Sequence, residues 1–310
     1  MGARYNAASR VSARVEQFLA VEWSALAREF GTSAVETAHA KGLIQRVLHG
    51  IYAIPGSEAE LRVRARALSL WTAPYGAVTG LAAAHLWGVI EREPDRVSVQ
   101  VPSHWSRALP PWARAVHIGP ASDRFRLQGI VTVSVADAVV QSWREARPEV
   151  AVSTVLAALV DNHVPGPALL EALQRRKQMP RRGQLVELIS LAGKVVTSYL
   201  EYVAWKSVFP PRIFPQLRWQ VVVWPRGRKR VMDAFDAEAR IDLEFDGGAT
   251  HGGVAGFERD RERDADMRSM EVEPLHFTFG DLIKRPQWCR QQYRELRAKR
   301  LREPGGPQAT

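Results

Sequence analysis

Residues 230–251 read Arg-Val-Met-Asp-Ala-Phe-Asp-Ala-Glu-Ala-Arg-Ile-Asp-Leu-Glu-Phe-Asp-Gly-Gly-Ala-Thr-His, and they hold the groups best suited to chemistry. Asp233 is followed eleven residues later by Glu244, then by Asp246, and five positions on by His251. Ile241, Leu243 and Phe245 alternate with Asp242, Glu244 and Asp246, so a strand here places three carboxylates on one face. Ionised carboxylates leave water only with a partner. A hard divalent cation is one such partner, because Mg2+ takes oxygen ligands from one or two carboxylates and from substrate phosphates. The alternative is an edge strand whose acidic face is simply solvated, and the spacing by itself leaves both open.

The elements around this stretch resemble a known family. From about Ser198 to Leu282 the chain resembles the very-short-patch-repair nucleases of the PD-(D/E)XK superfamily. The residues that carry the resemblance are Glu201 on a helix, Gln216 before a strand, Asp233 closing a hairpin, then Glu244-Phe-Asp246-Gly247 and His251. Further on, Phe257-Glu-Arg259-Asp260-Arg-Glu-Arg263-Asp264 resembles the family's arginine- and aspartate-rich helix, and Met270–Thr278 its turn and closing strand. The resemblance implies a helix, a mixed sheet with an acidic metal-binding edge, Mg2+ or Mn2+ as cofactor, and DNA as substrate. It implies Asp233, Glu244 and Asp246 as metal ligands, Glu201 as the residue that orients the site, and His251 as the proton carrier. In the superfamily a lysine usually stands two residues after the acid at Glu244, and here that position is Asp246. Lysine there stabilises transition-state charge. A histidine can exchange protons near neutral pH, and so keeps the chemistry open without it. A hydrogen-bonded structural histidine in a glycine-rich turn is the other reading of His251.

The chain has 310 residues, 43 of them Lys or Arg against 33 Asp or Glu, for a net charge of +10. Residues 1–170 hold 17 basic and 14 acidic side chains and residues 171–310 hold 26 and 19, so the second half carries +7 of the +10. Such an excess suits a polyanion, since phosphate neutralisation dominates non-specific affinity for nucleic acid. Cys289 is the only cysteine, which excludes an intramolecular disulfide or a cysteine-rich zinc site and makes the cytoplasm the expected compartment. Residues 67–90 lack acidic and basic side chains over a length that could span a bilayer. Pro74, Gly76 and Gly80 interrupt the run, so a buried loop and helix is expected and no membrane association.

Towards the N-terminus the order is helical. Apolar spacing over about 12–30 predicts one or two helices, Gly31 ends them, and Ser33 is placed to cap a helix through Ala40. Lys41 to Pro55 then reads as a strand, a tight turn at His49-Gly50 and a returning strand. This is winged helix-turn-helix order. Gly42, Arg46, Val47, Gly50 and Tyr52 resemble the wing of AbiEi-type antitoxins of type IV toxin–antitoxin systems. The resemblance implies DNA contact by Arg46 and His49, and a cognate toxin protein as a second partner. A domain that only packs, or contacts protein, is the alternative.

Residues 59–172 resemble the antitoxin-like middle region, with strands at Val97–Val101 and Ile130–Val135 and helices over 136–172, Asp137 capping the first. The basic run Gln174–Gly183 is a boundary, read as a solvated linker or as a strap that contacts phosphates. A second basic run, Arg226, Arg228, Lys229 and Arg230, falls in a hairpin turn before Asp233 and is a DNA-backbone candidate, as are Arg259 and Arg263. The expected fold is a multidomain α+β or α/β chain. Its parts are a winged helix-turn-helix at 12–58, a mixed middle region at 59–172, a basic linker and helix start at 173–190, and a restriction-endonuclease-like mixed sheet flanked by helices at 191–302. Two functions stay open, a metal-dependent DNA endonuclease of repair or defence and an antitoxin-like transcriptional regulator with a degenerate nuclease fold.

Overall fold

The computed structural model describes residues 2–117, 123–246, 262 and 265–302. The chain is a mixed α+β protein of two compact units, Met1–Ile189 and Ser190–Thr310. No described helix is long and apolar enough to cross a membrane.

The first unit opens with α1 (Gly2–Phe18), β1 (Ala20–Glu22), α2 (Trp23–Phe30), α3 (Thr32–Ala40), β2 (Gln45–Leu48) and β3 (Ile51–Ala53). The strands form an antiparallel sheet in the order β1-β3-β2. Val11 and Val15 of α1 pack with Leu26, Val35, Ala38 and Ile44 against Tyr52, which gives these short elements a shared core. The first helix begins at Gly2, ten residues before the apolar spacing becomes evident, and α3 is capped by Gly31 at φ 81° with no side-chain cap from Ser33. The turn at Gly50 has φ 72°, a conformation open to glycine at no steric cost.

The rest of this unit is built on a five-stranded mixed sheet, β6-β5-β4-β8-β7, made of β4 (Ala77–Thr79), β5 (Val97–Val101), β6 (Ala113–His117), β7 (Arg124–Leu127) and β8 (Ile130–Val133). With it go α4 (Leu61–Trp71), α5 (Gly80–Leu86), α6 (Val135–Glu145), α7 (Pro148–Val160), α8 (Gly166–Gln174) and α9 (Arg182–Leu191), the last running to the division between units. The uncharged stretch 67–90 lies in α4, β4 and α5, and most of its side chains are buried. Ser134 caps α6 by accepting the Asp137 N–H at 3.1 Å, so Asp137 occupies the third helical position and leaves the cap to the serine. The 175–181 segment, expected as a solvated linker, is tied down: Arg175 and Arg176 each reach buried Asp137 at 3.1 Å.

The second unit carries α10 (Tyr199–Val203), prolonged by a π-helical turn at Ala204–Val208, then β9 (Leu217–Val223), β10 (Arg230–Asp236), β11 (Ile241–Asp246) and β12 (Glu273–Thr278). It ends with α11 (Phe279–Lys284) and α12 (Pro286–Arg300). The sheet order is β12-β11-β10-β9, antiparallel except for the parallel β11–β12 pair. The acidic strand is therefore interior, paired on both sides, where an edge was expected. Ile241 to Phe245 are all buried, including Asp242 and Glu244, which rules out a solvated acidic face over this stretch. Phe209, Phe214, Phe245, Phe277 and Tyr293 close the core beneath the sheet.

Candidate functional site

The site follows from strand register. Glu244 of β11 is the parallel partner of His276 of β12, and Asp246 is the partner of Thr278. The ladder between β10 and β11 stops at the Ala234–Leu243 pair. One residue further on, the Asp233 side chain takes over, its Oδ2 accepting the Phe245 N–H at 3.1 Å. Asp233 is thus held beside Glu244 in mid-strand, some way from the hairpin turn where it was expected. On its other side, Asp233 and Gln220 of β9 are bracketed by the Val221–Met232 and Trp219–Ala234 pairs. Four strands accordingly contribute Gln220, Asp233, Glu244 and His276 to one row across the sheet.

Glu201 of α10 is tied to this row through Gln220. Ser198 caps that helix by accepting the Glu201 N–H at 3.2 Å. The Glu201 carboxylate folds back over the helix start, with Oε2 accepting from the Thr197 N–H at 2.7 Å and Oε1 from the Thr197 hydroxyl at 2.8 Å. Gln220 Nε2 also donates to Oε2 at 2.8 Å, bridging helix and sheet. Gln220 has φ 53°, in the left-handed region that non-glycine residues seldom occupy. Strained backbone of this kind tends to collect at sites of function.

Asp246 lies at the end of β11 and its Oδ2 meets His276 Nδ1 at 3.0 Å. Among the described residues, no group of three or more His, Cys, Asp or Glu is placed to hold a metal ion. The carboxylates expected as metal ligands are thus divided: Asp233 and Glu244 adjoin, and Asp246 turns to a histidine. The pair suits a hard cation of the Mg2+ type, which commonly takes only one or two carboxylates and completes its shell with water and phosphate oxygens. Sequence reasoning passed over His276 and Gln220. In the strand Pro274–Thr278, His276 alternates with Leu275 and Phe277, so the polar face was legible, but its pairing with the acidic strand was not.

The basic candidates fall into different settings. Arg226, Arg228 and Lys229 are exposed on the β9–β10 hairpin, with Arg228 3.4 Å from Glu262. Arg230 is held by buried Asp266 at 2.8 Å, so its charge is already met and its role is to anchor the hairpin. Arg46 on β2 and His49 in the following turn are both exposed. His251, Arg259 and Arg263 lie outside the described residues.

The buried thiol of Cys289 is pushed up to about 11, first by burial and then by Asp281, which removes it as a nucleophile at neutral pH.

No protein-family model matches this chain, and no curated protein matches it. Among solved structures, the chain is similar to the crystal structure of the RV2827C protein from Mycobacterium tuberculosis, at 17% identity and a TM-score of 0.42. The similarity covers 59% of this chain and 77% of that one.

Proposed function

We propose that this is a DNA-binding protein whose second unit hydrolyses phosphodiesters with a divalent cation, Mg2+ or Mn2+. The observation that carries the reading is the row itself. Asp233 and Glu244 stand side by side on adjacent strands, and Gln220, next along the row, ties it to Glu201 of α10. Asp233 and Glu244 would hold the cation, which when bound polarises the scissile phosphate and lowers the pKa of a bound water. The protein's own share is positional. Glu201 and Gln220 fix α10 to β9 and so set the floor of the row, making Glu201 a positioning residue. Asp246 orients the His276 ring through Nδ1, and a histidine held in this way is suited to carry a proton. It stands with His251 as a candidate for that step.

The first unit supports the DNA half of the reading. Its order α1-β1-α2-α3-β2-β3 is that of a winged helix-turn-helix, with α3 as the reading helix and the β2–β3 hairpin as the wing. Exposed Arg46 and His49 lie on that hairpin, where phosphates would pass.

A second reading rests on a specific observation. Asp246 is bound to His276, Glu201 to Thr197 and Gln220, and Asp233 to the Phe245 N–H, so three of the expected site acids are engaged within the fold itself. On this reading the second unit is a recognition module of an antitoxin-like regulator, with a cognate toxin as protein partner. Incubating the protein with supercoiled, linear and mismatched DNA, with and without Mg2+ or Mn2+, separates the two. The nuclease reading expects nicking, and a metal-dependent rise in melting temperature worth about 2.7 kcal/mol at a hundredfold excess over Kd. Asp233→Asn is expected to lose both while DNA affinity holds or rises. Wild type that shows neither effect with any divalent ion hands the function to the regulator reading.

A further inference from the structure

Residues 175–181 connect α8 to α9 as Arg-Arg-Lys-Gln-Met-Pro-Arg. The cations of this strap have unlike partners. Arg175 and Arg176 share the two oxygens of buried Asp137, one negative charge set between two cations. Arg181 lies over the Trp143 ring at 4.6 Å and donates to the Trp143 carbonyl at 2.9 Å. In return, Trp143 Nε1 donates to the Pro180 carbonyl at 3.1 Å. These contacts hold Arg181 at φ 54°, a conformation a free linker has no cause to keep.

The pinned strap forms one wall of a concavity of about 660 Å3, lined by Lys177, Gln178 and Arg182 together with Arg114 of β6 and Arg144 of α6. Among the described residues no carboxylate lines it. Arg182 donates to the backbone carbonyls of Leu173 and Arg176, neutral acceptors that aim the guanidinium without cancelling its charge. Glu145, next to Arg144 in sequence, turns inward and accepts from the Leu81 N–H at 2.8 Å and the Ser98 hydroxyl at 2.7 Å. Four cations from separate elements therefore face one space, and of these Arg114 alone feels the inward-turned Glu145, whose hydrogen bonds go to Leu81 and Ser98. Like charges gathered this way repel one another unless an anion joins them. Guanidinium and ammonium groups beside an amide suit the oxygens of a phosphate.

We infer that this concavity on the first unit is a phosphate-binding site for the backbone of a nucleic acid, separate from the β2–β3 hairpin. The inference rests on the DNA-binding reading given above for its source of phosphate. A free phosphorylated ligand has the same chemistry and is distinguished by experiment.

Arg144 and Lys177 are both exposed, so Arg144→Gln with Lys177→Gln removes charge from the concavity without disturbing the contacts that pin the strap. Affinity of the full chain for a short DNA duplex is measured across a range of salt concentrations. A second variant, Arg226→Gln with Lys229→Gln, serves as comparison. Each phosphate contact contributes about 0.9 to the slope of log affinity against log salt, so the concavity variant is expected to flatten the slope by roughly 1.8. An unchanged slope, with wild type binding DNA, overturns the site and leaves the DNA reading standing. If wild type binds no DNA even at low salt, the DNA reading and the nucleic-acid source fall together. A pyrophosphate titration then decides the site itself. Thermal stabilisation of wild type, lost in the concavity variant, assigns it to a free phosphate, and the absence of stabilisation overturns it.

Discussion

Asp236 is fully buried at the end of β10, and its Oδ2 accepts from the Tyr293 hydroxyl at 2.7 Å and from Arg297 Nε at 2.8 Å. Tyr293, itself buried, is thereby kept protonated, since burial comes first and the neighbouring carboxylate adds to it. Asp236 is thus a structural acid, whereas Asp233, three residues before it, joins the row across the sheet. Glu145 is a third case. Burial raises its carboxyl pKa, with the Ser98 hydroxyl, the Leu81 N–H and Arg114 pulling the other way. A raised folded-state pKa means that the native protein holds the proton more tightly than the unfolded chain does. The associated stability is present below the unfolded value and is lost as pH rises through the folded one. Glu145→Gln can still accept the Leu81 N–H and carries no charge to bury. Urea melts are expected to find the variant at least as stable as wild type at neutral pH, with its advantage shrinking as pH falls into the carboxylate range. An advantage that grows towards acid would reverse this account of Glu145.

At the scale of elements, the row depends on how the second unit's helices grip its sheet. Phe209, just after the π-helical turn, meets Phe214 at 5.3 Å, Phe277 at 5.7 Å and Tyr293 at 5.9 Å between ring centroids. It therefore joins the loop before β9, the strand β12 and the helix α12 at one point. Phe209→Ala is expected to cost about 3–5 kcal/mol, the usual range for emptying an aromatic site in a packed core. Chemical denaturation measures it directly, and a loss below about 1 kcal/mol would mean that the site collapses around the cavity. In the first unit a glycine sets a comparable constraint. Gly80 begins α5 at φ 61°, and a Cβ there would lie 1.8 Å from Glu145 Oε1, so the carboxylate reaches the helix start only because the side chain is absent.

At the scale of the whole molecule, the division between units falls at Ile189–Ser190, beyond the basic strap. The reason is local. Asp137 and Trp143 bind the strap back to α6, and Ile189 at the end of α9 packs near Gly166 of α8, 3.5 Å from where a Cβ would stand. A chain ending at Ile189 is therefore expected to unfold cooperatively on its own. Trypsin is expected to cut after Lys194, exposed in the turn past the division, before it cuts at Arg181. Earlier cleavage at Arg181 would show that the strap opens more readily than its contacts imply.

Periodicity and turn chemistry made many elements legible without coordinates. The β2–β3 hairpin and its Gly50 turn, the strands near 97–101 and 130–133, and the alternating acidic strand are all properties of neighbours in sequence. Asp233 and Glu244 were legible too, from spacing and alternation, whereas Glu201 entered only through the resemblance to the very-short-patch-repair nucleases. Sequence could not say which strand would flank the acidic one, and pairing is a long-range choice. The parallel register of β11 with β12 made that strand interior, buried Asp242 and Glu244, and brought His276 to Asp246. The same holds for the basic runs, which look alike as composition. Only tertiary contacts separate Arg230, Arg175 and Arg176, met by buried carboxylates, from Arg144 and Lys177, which line a concavity without one. Charge is a property of the residue, whereas its neutralisation depends on what the fold places beside it.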